Sequence, residues 1–275
     1  MKLLLSIFLL LPFCAFNQDF GEYIKENAIE IDSNVNSRPE VYAAISKFEL
    51  IMVGEMHGTQ EPAGLVDVLA KVIVKNEGFV SVGLEIPTDE LSNFIKNPTE
   101  ENLLNSVFFS KENIDGRNGQ AWFDLILNCT KDTSINLFFF DNVVEGEIRD
   151  SIMYLGILNQ KLKFPESKII TISGNIHNWS LPYNDMPTMG MYCLNDTINF
   201  TRDKACSINH AYSEGTLLNN TGNGLEMRTI TFKESVYSKS VEYENYLLFY
   251  KFGSKNKHNC LYYSKKVNHS AEVKR

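Results

Sequence analysis

Cysteine is scarce, with five in 275 residues and no two in a Cys-x-x-Cys pair. That excludes the usual zinc-ribbon and dithiol redox motifs. Basic residues are in deficit, 26 Lys and Arg against 34 Asp and Glu, for a formal net charge of -8. A chain of that sign repels a phosphate backbone, so nucleic acid is excluded as a partner. Internal repeats and low-complexity tracts are absent, and no linker divides the chain. A single domain follows, although the length is high for one. No apolar run reaches the roughly 20 residues of a comfortable membrane span.

What is present begins with a leader. Lys2 precedes an apolar run from Leu3 to Phe13, and Asn17-Gln18-Asp19 follows. This is the layout of a secretory signal peptide. We expect a signal peptide over residues 1–17 and a single domain over 18–275, exported to a periplasmic or extracellular space. Leu11-Pro12-Phe13-Cys14 is a fainter match to a lipoprotein box, so membrane attachment enters only through a lipid anchor at Cys14. Four cysteines remain after cleavage: Cys129, Cys193, Cys206 and Cys260. Cys193 and Cys206 either close a short loop in an oxidising compartment or stay buried as free thiols. The oligomeric state is not legible.

Apolar residues make up 44% of the chain, ample for a sizeable core. Four short apolar runs read as strands buried on both faces: Glu49–Val53, Val80–Leu84, Ile135–Phe140 and Lys168–Ser173. Helical patterns separate them. Pro62 fits a first turn and Gly78 a stop, with Leu65, Leu69, Val72 and Ile73 as the apolar stripe. Trp122, Leu125 and Cys129 share a later helix face. Glu145–Lys163 reads as a helix with a stripe of Ile148, Ile152, Leu155, Leu158 and Leu162, ended by Pro165. The expected class is α/β: a mostly parallel central sheet flanked by helices. Additional C-terminal strands are expected over Ala205–Tyr212, Met227–Phe232, Tyr246–Lys251 and Cys260–Ser264.

Each of the four buried runs leads directly into a side chain that can bind metal or move a proton. The first delivers Glu55 and His57, the second Glu85, the third Asp141 and the fourth His177. Ligands of open α/β sheets bind outside the carboxyl ends of the strands, so parallel strands gather these residues at one rim. Arg117, in a Gly-rich setting, and Arg149 supply cations that keep carboxylates ionised or hold an oxyanion. The histidines at 210, 258 and 269 have no comparable placement and read as surface or strand residues, with His210 as a neutral control for mutation.

At these residues a family pattern is visible. Leu50–His57, with Gly54-Glu55-Met56-His57 at its end, resembles the "GExH" opening of the superfamily that holds erythromycin esterases, ChaN-like haem-binding proteins and TraB/Tiki proteins. Gly83-Leu84-Glu85, Asp115-Gly116-Arg117, Arg149-Asp150-Ser151-Ile152-Met153, Gly174-Asn175-Ile176-His177 and Thr188–Tyr192 follow in the order that family shows. The resemblance covers about Phe48 to Tyr250. Erythromycin esterases carry one more residue between Glu and His, so the spacing here follows the shorter ChaN and TraB/Tiki form.

The resemblance implies one of two functions. The first is a hydrolase of an ester or amide, acting on a small molecule or peptide. Its catalytic residues would be His57, His177, Glu55, Glu85 and Arg117. A divalent metal on Glu55, His57, Glu85 and His177, joined by Asp141, would acidify water. Without a metal, His57 would activate the water directly. The second function is haem or iron binding of the ChaN-like type.

Overall fold

Apolar side chains alternate along Leu50–Val53 and are buried throughout. Ile51 and Val53 pack on one face, Leu50 and Met52 on the other. A strand sealed on both sides belongs in the middle of a parallel sheet. The computed structural model puts it there, and describes residues 20–32, 39–110, 115–142, 144–220, 224–231, 235–250 and 256–274. The leader expected over residues 1–17, Cys14 included, lies outside the described residues.

The strands are β1 (Ile29–Glu30), β2 (Leu50–Glu55), β3 (Val80–Leu84), β4 (Ile135–Phe139), β5 (Lys168–Gly174), β6 (Ala205–Asn220), β7 (Leu225–Thr231), β8 (Asn245–Phe249) and β9 (Cys260–Val267). They form one sheet in the order β1-β8-β9-β6-β2-β5-β3-β4, with β7 added to β6. From β4 to β9 every neighbouring pair is parallel. The pairs β8·β9, β1·β8 and β6·β7 are antiparallel. The class read from the sequence is therefore the class observed.

The helices are α1 (20–27), α2 (Pro39–Ile45), α3 (Glu61–Glu77), α4 (Ser92–Lys96), α5 (Glu100–Leu104), α6 (Val107–Ser110), α7 (Gln120–Lys131), α8 (Arg149–Lys163), α9 (Met189–Asn195) and α10 (Val236–Ser240). The face with α2, α3 and α7 holds the main core. The other face packs α8 and α9 through Met153, Ile157, Met189 and Cys193. A third cluster joins Ile24 to Tyr246, Leu248, Leu261 and Tyr263 at the far edge. Cys193 and Cys206 lie in the cores of opposite faces, and all four described cysteines are buried free thiols.

Three local expectations are corrected. The strand Ile135–Phe139 is the edge of the sheet and mostly half-buried. The helix expected from Glu145 starts at Arg149, because Gly146 takes a positive φ of 83° and Ile148 is extended. Its buried face is Met153, Ile157 and Gln160, while Ile148, Leu155 and Leu162 of the expected stripe are exposed. The reason is Gly156. A Cβ there would lie 2.8 Å from Cβ of Phe140, so the helix meets the end of β4 on its glycine side. That close approach sets the rotation against the apolar periodicity. Finally, β6 runs to Asn220, well past Tyr212, because its second half pairs with β7 and β9 after leaving β2.

Candidate active site

The register of the sheet assembles the site. Glu55 is the last residue of β2 and pairs with Gly174, the last of β5. Glu85 follows β3 and donates its backbone N–H to Ile172 of β5, 3.1 Å away. Asp141 lies just past β4 and donates its N–H to Ile86 O at 3.3 Å. His177 sits on the turn that leaves β5, its N–H bonded to Gly174 O at 3.0 Å. All these strands are parallel, so the side chains emerge at one rim.

Two carboxylate–imidazole pairs flank Gly174. His57 Nδ1 lies 2.7 Å from Glu55 Oε1, and Glu55 Oε2 accepts the Trp122 indole N–H at 3.0 Å. His177 Nδ1 lies 2.9 Å from Asp150 Oδ1, which also accepts the Met189 N–H at 2.7 Å. A carboxylate can only accept, so each ring carries its proton on Nδ1 when neutral, with His57 Nε2 beside Gly174 and His177 Nε2 3.7 Å from Glu85 Oε1. A Cβ on Gly174 would sit 3.2 Å from His57 Nε2 and 3.5 Å from His177 Cδ2. Both imidazoles therefore approach one bare stretch of backbone.

Beneath them lies a closed network of charge. Glu85 Oε1 accepts from Arg117 Nη1 at 2.8 Å and from Arg149 Nη2 at 2.6 Å, and its Oε2 accepts the Gly174 N–H at 2.7 Å. Arg149 grips Asp141 through Nε at 2.7 Å and Nη2 at 2.6 Å. Arg117 is held by Asp115 through Nε and Nη2 at 2.9 and 2.7 Å. The Glu85 side chain is 1% exposed, against 27% for His57 and 19% for His177. The acid is the buried floor, and the two imidazoles are partly exposed above it.

Electrostatics follow from that geometry. Burial opposes the charge of Glu85, yet Arg117, the two imidazoles and Arg149 hold its pKa down to about 2. Burial also opposes a charged His57, but the hydrogen bond and charge of Glu55, with Glu85 behind it, raise its pKa above the ordinary value. Burial works against the Asp115 anion as well, and Arg117 outweighs it and lowers its pKa. Five carboxylates face two guanidiniums, so the cluster carries three negative charges when both imidazoles are neutral.

The donor set does not fit the divalent metal expected on Glu55, His57, Glu85, His177 and Asp141. Both oxygens of Glu55, Glu85 and Asp141 already accept hydrogen bonds, and two guanidiniums stand where a cation would have to come. Among the described residues, no group of three or more His, Cys, Asp or Glu is placed to hold a metal ion.

The structure brings together Glu55, His57, Glu85, Arg117, Asp141 and His177. Sequence reasoning missed two partners. Asp150 stands in the Arg149–Met153 motif with no role of its own, and Trp122 reads only as part of a helix face. A buried indole needs an acceptor, and that was the available signal for Trp122. His210 and His258 are buried. His210 stacks on Tyr262 and reaches Ser264 Oγ at 3.1 Å, and His258 Nδ1 meets Ser207 Oγ at 2.8 Å. Neither belongs to the surface.

No family model matches the chain, and no curated protein matches it in sequence. Solved structures do match its fold. A protein from Bacillus cereus has a TM-score of 0.68 at 10% identity, over 94% of this chain and 99% of its own. A succinoglycan biosynthesis protein matches with the same values. A histidine-to-asparagine mutant of the erythromycin esterase EreC, in its open conformation, matches with a TM-score of 0.59 at 10% identity, over 86% of this chain and 95% of its own. The chain thus shares its fold with that erythromycin esterase and with the two other proteins.

Proposed function

We propose that this chain hydrolyses an ester or an amide, with His57 as general base. The observation that carries this reading is the Glu55–His57 pair, fixed behind by Trp122. Glu55 holds the Nδ1 proton, so Nε2 is free to take a proton from water. The water oxygen attacks the carbonyl carbon. His177, oriented by Asp150, gives a proton to the leaving oxygen or nitrogen. His57 then releases its proton to solvent and His177 regains one. Arg149 spends Nε and Nη2 on Asp141 and Glu85, which leaves Nη1 for the developing oxyanion. Glu85 and Arg117 hold the floor in place.

The leader-like segment Lys2–Phe13 supports action outside the cytoplasm. The spacing Glu55-Met56-His57 supports kinship with ChaN-like and TraB/Tiki proteins. The test is turnover of an ester and amide panel by the full mature chain. Wild type should turn over at least one member, and His57→Ala should lower the rate by about 10²–10⁴-fold, the usual worth of a general base. Undiminished turnover in folded His57→Ala overturns the proposal. So does a Soret band on hemin addition with no turnover anywhere in the panel, which would assign the cleft to haem.

A further inference from the structure

Strand β7 is an open edge. It pairs with β6 alone, so its other side meets no strand among the described residues. Five of its seven residues are exposed, Met227 at 61%, and Leu225 and Ile230 are half-buried. An open edge is a template for another strand, and proteins usually blunt it with Lys, Pro or a bulge. The sequence Leu-Glu-Met-Arg-Thr-Ile-Thr contains neither Lys nor Pro. Its ladder to β6 runs from Leu225 to Thr231 without a bulge.

The backbone decides which residues of that edge can bond. Leu218 of β6 stands opposite Met227. Its N–H donates to Gly58 O at 3.3 Å, and its carbonyl oxygen abuts Gly58 and Gly116. Leu218 thus turns both groups away from β7, which makes Leu218 and Met227 a non-hydrogen-bonded pair. The N–H and C=O of Met227 then point the opposite way, off the open edge. Those of Leu225 and Thr229 do the same by alternation. Glu226 and Arg228 flank Met227, are both exposed, and share one face by the two-residue period of a strand.

We propose that β7 pairs with β7 of a second copy of this chain, antiparallel about a two-fold axis at Met227, to form a dimer. Charge complementarity selects the occupant. With Met227 opposite Met227, the N–H and C=O of each copy meet those of the other, and Leu225 meets Thr229 in the same bonded manner. Glu226 then stands opposite Arg228 on both sides of the axis. These are non-hydrogen-bonded pairs, in which facing side chains come closest. The neighbouring registers that preserve the bonding put Arg228 opposite Arg228 or Glu226 opposite Glu226, and like charges directly opposite are destabilising. The strand therefore favours one register with itself. The contact uses the same patch on both copies, so it closes at two. A net charge of -8 sets copies of the chain against each other in general, and this edge is neutral and self-complementary.

The experiment is sedimentation velocity of the full mature chain from micromolar to near-millimolar loading. Wild type should pass from monomer to dimer across that range, as a small interface requires. Glu226→Arg and Arg228→Glu should each weaken the dimer by about tenfold or more, because each sets like charges face to face. An equimolar mixture of the two single variants should associate again, to within about threefold of wild type, since each then offers what the other lacks. Met227→Pro should abolish the dimer without touching a charge, by removing the central N–H. The mixture guards against misfolding, because chains that had lost the fold would not recombine. A wild type that stays monomeric at every loading overturns the proposal and leaves the edge to a strand of another protein. So does a dimer that Glu226→Arg and Met227→Pro leave intact, or a pair of weakened variants whose mixture stays monomeric. No step depends on turnover, so the outcome is independent of the hydrolase reading.

Discussion

The indole N–H of Trp122 lies 3.0 Å from Oε2 of Glu55, the carboxylate oxygen that His57 does not use. Helix α7 is thereby tied to the end of β2 through a carboxylate that is itself buried. A buried anion that loses one donor pays in full for that lost contact. Trp122→Phe should lower stability by about 1–3 kcal/mol for the orphaned oxygen alone. It should also lower kcat by about tenfold with little change in KM, because a loosened Glu55 no longer holds the His57 ring. Denaturant melts and steady-state kinetics check the two effects. An unchanged kcat in a destabilised variant would make Trp122 purely structural.

The pH profile follows from the His57 pair. Its pKa lies above the ordinary 6.5, with burial opposing and Glu55 prevailing. A general base must be neutral, so activity should fall as pH drops through that raised value. Stability runs the other way. A raised folded pKa contributes stability that is complete below the unfolded value and is lost as pH rises through the folded one. Activity should therefore climb across the window in which this share of stability declines. Glu55→Gln removes the charge that raises the pKa, so the acid limb should move to lower pH while kcat falls. A limb that stays in place in Glu55→Gln assigns it to another group.

Glu85 has the opposite sign. Its pKa is held at about 2, below the ordinary 4.5, so its stabilising share is present above 4.5 and lost as pH falls through about 2. That shift corresponds to stability on the order of 3 kcal/mol. Glu85→Gln should destabilise the fold at pH 7 and flatten the loss of stability between pH 4.5 and 2. Arg117→Ala should cost about 3–5 kcal/mol, because it strands a buried charge. Denaturant melts across that pH range decide. Equal acid sensitivity of wild type and Glu85→Gln would deny the carboxylate its place in the network.

Much of this was legible beforehand. Three short apolar runs leading to Glu55, Glu85 and His177 follow from the burial of a parallel sheet on both faces, and the fourth, leading to Asp141, is the half-buried edge strand. The side of α8 that packs was not legible, because Gly156 against Phe140 overrides the apolar stripe. Asp150 was hidden by its neighbour Arg149. In the first turn of a helix consecutive residues point apart, so one reaches Glu85 and the other His177. His210, read as a surface or strand residue and a neutral control, is in a strand but buried, with its pKa pushed down to about 3 by burial. Its removal would open a cavity, so the exposed Ile198 is the better control.

Gly174 offers the most direct test of how the two imidazoles work together. Its N–H holds Glu85, and its missing side chain leaves the space that His57 and His177 occupy. In Gly174→Ala the new methyl would meet His57 Nε2 at 3.2 Å, His57 Cε1 at 3.3 Å and His177 Cδ2 at 3.5 Å. The two contacts with His57 are tight enough to displace that ring by a few tenths of an ångström, while His177 is met at ordinary contact distance and the backbone bond to Glu85 survives. The fold should hold, and kcat should fall by about 10–100-fold, since small displacements of reacting groups are costly. His57→Ala and His177→Ala should each remove nearly all activity, and the pair together should cost little more, because groups that act as a unit are not additive. Adding Gly174→Ala to His57→Ala should likewise cost almost nothing further, the methyl having lost the ring it displaces. Kinetics of the single and double variants, with Ile198→Ala alongside, give the coupling. Full additivity of Gly174→Ala with His57→Ala would show that the methyl acts through something other than that ring.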